Sequence, residues 1–164
     1  MSFQTLVKKL KESSDFKKFK RKHKGIFLFS AFFVLSPELE VETQQLDYFL
    51  GKGKAVTFYV GKTIKHKIDD FNPQGEITAL DENLKIDIKD LKNILKSELS
   101  DKSLKESEIN KVIAILQKID KRQIWNVTCM LTSLKILRLH IDCFNGQIIE
   151  SKQGSIFDFI QVKK

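Results

Sequence analysis

Apolar positions along the chain change period several times, and each change marks an element. Phe3, Leu6, Val7 and Leu10 recur at i, i+3, i+4 and i+7, the stripe of an amphipathic helix. The stripe continues through Phe16 and Phe19, which predicts one helix to about residue 22, and Ser13-Ser14-Asp15 offers a break where Ser14 can cap a second helix. At Gly25 the pattern turns β-like. Residues 26–35 are almost all apolar and lie between Gly25 and Ser36-Pro37, as expected of a central strand covered on both faces. Residues 44–50 and 55–60 flank Gly51-Lys52-Gly53-Lys54 as a hairpin, residues 63–68 alternate as a strand, and residues 76–80 read as a short strand.

Asp87 then precedes Ile88, Leu91, Ile94, Leu95 and Leu99 at helical spacing. Ser103-Leu104-Lys105-Glu106 has the form of a capping box, and Ile109, Val112, Ile113, Leu116 and Ile119 extend it into a predicted second helix over residues 104–118. Two alternating strands follow at 124–132 and 135–143, with Trp125, Val127, Cys129 and Leu131 on one face of the first and Leu137, Leu139, Ile141 and Cys143 on one face of the second. A turn centred on Ser133-Leu134 makes facing residue numbers sum to about 267, so the two cysteines should not oppose each other. Asn145-Gly146 predicts a two-residue hairpin turn into a strand at 147–150, and residues 155–162 read as a last strand.

The order helix, strand, hairpin occurs in residues 1–62 and again in 103–164, with a strand-helix connection over 63–102. Residues 28–36 lie over 124–132 with matching β character. Leu46-Asp47-Tyr48-Phe49 before a glycine turn parallels Ile141-Asp142-Cys143-Phe144 before Asn145-Gly146. The predicted fold class is α+β: an antiparallel sheet wrapped on helices, built as two pseudo-repeated α-β-β(-β) halves of a single domain.

A helix, a strand opening near Trp125 and then Leu139-His-Ile-Asp142-Cys-Phe-Asn-Gly146-Gln-Ile-Ile149 resembles the helix-strand-strand unit of PepSY-type and other cystatin-like domains. In those domains the second strand ends in an Asp-x-x-x-Gly turn and an apolar third strand follows. The resemblance covers residues 104–150, with a weaker copy over 3–60. It implies a binding or regulatory module that lacks catalytic residues and is often extracytoplasmic or membrane-tethered. The chain departs from that setting, since no signal or anchor pattern is read in it.

Composition narrows the picture. Of 164 residues, 41% are hydrophobic and 30% charged, with 13 Phe but only 2 Pro and 7 Gly, the profile of a compact ordered domain. The longest near-apolar run is about 12 residues, too short to span a bilayer, and the two cysteines suit a reducing compartment; a cytoplasmic protein is expected. Residues 1–24 hold nine of the 29 Lys and Arg and two of the 21 Asp and Glu, hence seven of the net +8. Lys17, Lys18, Lys20, Arg21, Lys22 and Lys24 are therefore the candidate binding patch, for nucleic acid or another polyanion.

Catalytic signatures are absent from the sequence, and the expectation is no enzyme, no metal and no cofactor. Gly51-Lys52-Gly53-Lys54 lacks the spacing and following helix of a phosphate loop. Asp70–Asp81 resembles an EF-hand calcium loop, but Gln74 and the short Asp81 weaken the cage and no helix leads in. Arg138, His140 and Asp142 share one strand face and read as a solvated polar face. Three functions stay open: a non-catalytic binding or protein-interaction module (a protein partner or a second copy), polyanion binding through residues 1–24, and small-molecule binding in a sheet-helix cavity.

Overall fold

The computed structural model describes residues 1–161. Two short helices, α1 (Phe3–Glu12) and α2 (Ser14–Lys22), lead into a four-strand meander of β1 (Phe27–Leu35), β2 (Val41–Gly51), β3 (Lys54–Val60) and β4 (Ile64–Asp70). A linker then reaches α3 (Ile88–Asp101), which leads into a second meander of β5 (Ile109–Ile119), β6 (Arg122–Leu131), β7 (Lys135–Asp142) and β8 (Ile148–Ser155), closed by α4 (Ile156–Gln161). All eight strands form one antiparallel sheet in the order β4-β3-β2-β1-β5-β6-β7-β8. The meanders meet where β1 pairs with β5, Phe33 opposite Ala114.

Helices α1, α2 and α3 lie on one face, while α4 sets Phe159 on Arg138 and Lys152 on the other. Phe3, Leu6, Val7 and Leu10 of α1, Phe16 and Phe19 of α2, and Leu91, Leu95 and Leu99 of α3 share one core with the inward strand positions. Full burial of each such side chain contributes about 1.5–3 kcal/mol. The deepest large side chain is Trp125, tilted against Phe33 with ring centroids 5.6 Å apart, its indole N–H donating to the Ile86 carbonyl at 2.7 Å. Residues 1–22 form two helices rather than one, because the Ser13 hydroxyl accepts from the Phe16 amide and caps α2. Asp87 caps α3 as expected, in a capping box with Asp90, and also accepts from the Phe3 amide, tying α1 to α3.

Six expectations are corrected. Residues 109–119 are a central strand, not a helix: Ile109, Val112, Ala114 and Leu116 point into the core and Ile113 and Ile115 away from it. Five β-branched residues favour the strand, and Asp120 and Lys121, both at positive φ (50° and 68°), close a tight hairpin without glycine. Residues 76–80 form no strand, and 156–161 are helical, residue 162 lying outside the described part. The connection from β7 to β8 runs over residues 143–147 instead of two residues. Finally, β1 is central but covered on one face only, for Phe32 and Val34 are half-exposed. The extra strand β5 also means that matching 28–36 to 124–132 pairs β1 with β6, which lie on opposite sides of β5.

Candidate functional site

One face of the sheet is sealed by α1, α2 and α3, and the layer between is filled with side chains. On the other face a cavity of about 850 Å³ lies beneath the segment that leaves β4. Its floor is made by outward positions of neighbouring strands: Ser30 and Phe32 on β1, Gln45 and Asp47 on β2, Ala55 and Thr57 on β3, and Ile115 and Gln117 on β5. Pairing sets them side by side, with Asp47 opposite both Ser30 and Thr57, and Phe32 opposite both Gln45 and Ile115. Cross-strand neighbours of this kind are within side-chain reach.

The roof is the strap 71–78, held at both ends. The Phe71 amide donates to the Gly53 carbonyl at 2.7 Å, and the Phe71 ring stacks on Phe29 with centroids 4.9 Å apart. At the far end the Leu80 amide donates to the Leu28 carbonyl at 2.8 Å. The buried Gln123 side chain then grips Asp81, accepting from its amide at 2.8 Å and donating to its carbonyl at 2.9 Å.

Asp47 is the electrostatic centre of the floor. Its carboxylate accepts from the Thr57 hydroxyl at 2.6 Å, and Ser30 is its second hydroxyl neighbour. Burial pushes its pKa up, outweighing the two hydroxyls that pull it down. On the rim, Asp69 lies 3.7 Å from the Lys67 ammonium and Asp70 pairs with Lys54, while Glu76, Asp120, Lys118 and Lys121 line it without an ion pair among the described residues. Asp47 was not singled out by the sequence reading, nor were Phe29, Phe32 and Phe71. A signal existed: a carboxylate between Leu46 and Tyr48, both core, has to face the other side of its strand.

The residues chosen from sequence sit elsewhere. Lys17, Lys18, Lys20, Arg21 and Lys22 are exposed on α2, and Lys24 is exposed just after it. Lys11, Phe16, Lys17, Lys20 and Arg21 line a shallow groove of about 520 Å³. Its one aromatic ring, Phe16, is turned into the core against Tyr48 and Phe58. Arg138, His140 and Asp142 are drawn into three separate contacts. Arg138 lies over the Phe159 ring at 4.8 Å, His140 Nδ1 is 3.3 Å from Glu150, and Asp142 accepts from Arg122 Nε at 2.7 Å and from the Phe144 and Asn145 amides.

Asp70 and Asp81 are likewise kept apart, Asp70 on Lys54 and Asp81 accepting from the Asn83 amide at 2.8 Å. Among the described residues no three His, Cys, Asp or Glu side chains group as a metal centre. Cys129 and Cys143 are both buried and unpaired, and burial raises their thiols to about 12 and about 11, which leaves them protonated and poorly nucleophilic.

The fold is thus α+β, a large antiparallel sheet of eight strands with four helices, and among the described residues no helix is long and apolar enough to cross a membrane. It is similar to the crystal structure of a candidate lipoprotein from Clostridium difficile 630, with a TM-score of 0.54 and 10% identity over 85% of this chain and 90% of that one. At that identity the likeness is one of fold. No protein-family model matches the sequence, and no curated protein matches it.

Proposed function

We propose that this protein is a binding module without catalytic chemistry of its own, and that its ligand site is the cavity between the strap and the open face of the sheet. The cavity carries this reading. Its volume is in the range of small-molecule sites, and it combines aromatic and aliphatic walls with many polar and charged side chains that can orient a ligand. The third expectation from sequence is thereby moved, since the space between sheet and helices is core and the room lies on the opposite face. We extend the PepSY-like and cystatin-like reading in the same spirit: two halves, each a helical segment followed by a four-strand meander, would place this site across the seam between them, on β1, β2 and β3 of the first and β5 of the second.

Ala55→Trp tests the reading, because it projects an indole from β3 into the cavity. Small-molecule mixtures screened by NMR are expected to shift resonances of Phe32, Asp47 and Ile115 in the native protein and to leave them unmoved in the variant. Hits that ignore the substitution would overturn it.

A second reading, polyanion binding, is favoured by the groove on α2, where Lys17, Lys20 and Arg21 converge and none of the ion pairs among the described residues engages them. It predicts an affinity for heparin or an oligonucleotide that falls steeply with salt and is lost in the triple variant Lys17→Glu, Lys20→Glu, Arg21→Glu. Fluorescence anisotropy across a salt series decides it, and binding indifferent to both changes would sink it.

A further inference from the structure

The floor of the cavity holds a charge that the protein itself leaves unmatched. Asp47 is half-buried, and no Lys, Arg or His nitrogen lies within ion-pair reach of it among the described residues. Two hydroxyl neighbours, Thr57 and Ser30, satisfy at most half of the roughly four lone-pair positions a carboxylate offers. A charge buried this way is costly unless paired. The other half-buried carboxylates are met by a cation or by backbone amides: Asp142 has Arg122 at 2.7 Å, Glu108 has Lys135 at 2.6 Å, Asp87 accepts from the Phe3 and Ile88 amides, and Asp90 accepts from the Asp87 amide. Asp47 has two hydroxyls alone, and it lies on the floor of an 850 Å³ space.

The walls around it have a matching character. Phe29, Phe32 and Phe71 line the same space as Asp47, with Ile77 and Ile115 completing the apolar surface. Aromatic faces attract ammonium and guanidinium groups brought within about 6 Å. A desolvated carboxylate beside such rings complements one ligand chemistry better than any other.

We propose that the cavity takes an organic cation, an ammonium or guanidinium carried on an apolar body, with Asp47 receiving the charge and Phe29, Phe32 and Phe71 enclosing the body. This rests on the reading of the cavity as the binding site. The ligand completes the pairing that the chain omits: its N–H donors occupy the free lone pairs of Asp47, and its apolar part displaces water from the phenyl rings. An anion of the same shape is repelled by Asp47, and a neutral analogue gains only the contact with the rings.

Three probes of one shape test this on the full chain: phenethylamine, 2-phenylethanol and 3-phenylpropionate, each titrated at neutral pH and followed by the amide resonances of Asp47, Thr57 and Ile115. The amine is expected to bind at least tenfold tighter than the alcohol, with the carboxylate weakest. Asp47→Asn should reduce amine affinity about tenfold and leave the alcohol within twofold. An acetylated Phe-Lys amide alongside identifies the source of the cation, a protein side chain if it outbinds phenethylamine and a free amine if it does not. Equal affinity for amine and alcohol, or unchanged amine affinity in Asp47→Asn, overturns the cation assignment and leaves the cavity as a binding site. If none of the probes moves those resonances, the cavity reading itself falls. The ranking of probes on the native protein stands whether or not the variant folds.

Discussion

The two faces of the sheet solve opposite problems with the same strands. On the helix side the chemistry is nearly uniform: Leu46, Val56, Phe58, Val112, Ala114, Leu116, Trp125 and Val127 are all at most 1% exposed. On the other side the same strands present Asp47, Thr57, Phe32, Ile115 and Asn126, none fully buried and several polar. An apolar layer stabilises simply by excluding water. The mixed layer does not, and it keeps an unmatched carboxylate that a purely structural face would discard. The first face is where stability is made, and the second is where a ligand can be met.

The sharpest way to break that contrast is to remove an aromatic ring from each face. Trp125→Ala deletes a fully buried indole and leaves the Ile86 carbonyl without its donor, so a loss of about 3–5 kcal/mol is expected. Phe32→Ala removes a half-exposed ring from the open face, and partial burial limits the loss to about 1 kcal/mol. Denaturant midpoints measure both. Comparable losses would show that the open face is a second core and would remove its claim to be a site.

Next in size is the turn after β7, where the two faces meet at the end of the sheet. Partial burial works to raise the pKa of Asp142, but the Arg122 guanidinium and the Phe144 and Asn145 amides outweigh it and hold the carboxyl below its ordinary range. A carboxyl depressed on folding adds stability above its unfolded pKa and loses it as pH falls through the folded value. Asp142→Ala should therefore cost about 1–3 kcal/mol near neutrality and progressively less as the solution is acidified through the carboxylate range. A cost that does not change with pH would mean that the turn is held by packing and not by the charge.

How much of this contrast was legible beforehand depends on the strand. In β6 and β7 strict alternation made it readable: Trp125, Val127, Cys129 and Leu131 do face the core, and facing residues sum to 266, as Ile124 opposite Asp142 shows. In β5 it was hidden. Ile and Val occupy both faces there, so apolar positions also fall at helical spacing, and the hairpin closing it uses Asp120-Lys121 without a glycine to announce a turn. Short apolar runs carry that ambiguity by nature. The basic patch was visible because charge clusters along the sequence. The cavity was not, because Asp47, Thr57, Phe32, Ile115 and Phe71 come from five separate segments that only strand pairing brings together.

The smallest effect bears most directly on what the open face is for. Burial raises the pKa of Asp47 above its unfolded value, so the ionised side chain opposes folding, and the protein gains relative stability below the unfolded carboxylate pKa and loses it as pH rises through the folded one. Asp47→Asn keeps the size of the side chain and an acceptor for the Thr57 hydroxyl while removing the charge. The variant should therefore be more stable than the native protein by about 0.5–1 kcal/mol near neutrality, with the advantage fading as the solution is acidified and Asp47 takes up a proton. Urea midpoints at neutral and mildly acidic pH measure it. A destabilised variant would make Asp47 a structural partner of Thr57 and Ser30. A stabilised one would mean that the native chain keeps, at a cost to its own fold, a charge whose counterpart has to come from outside.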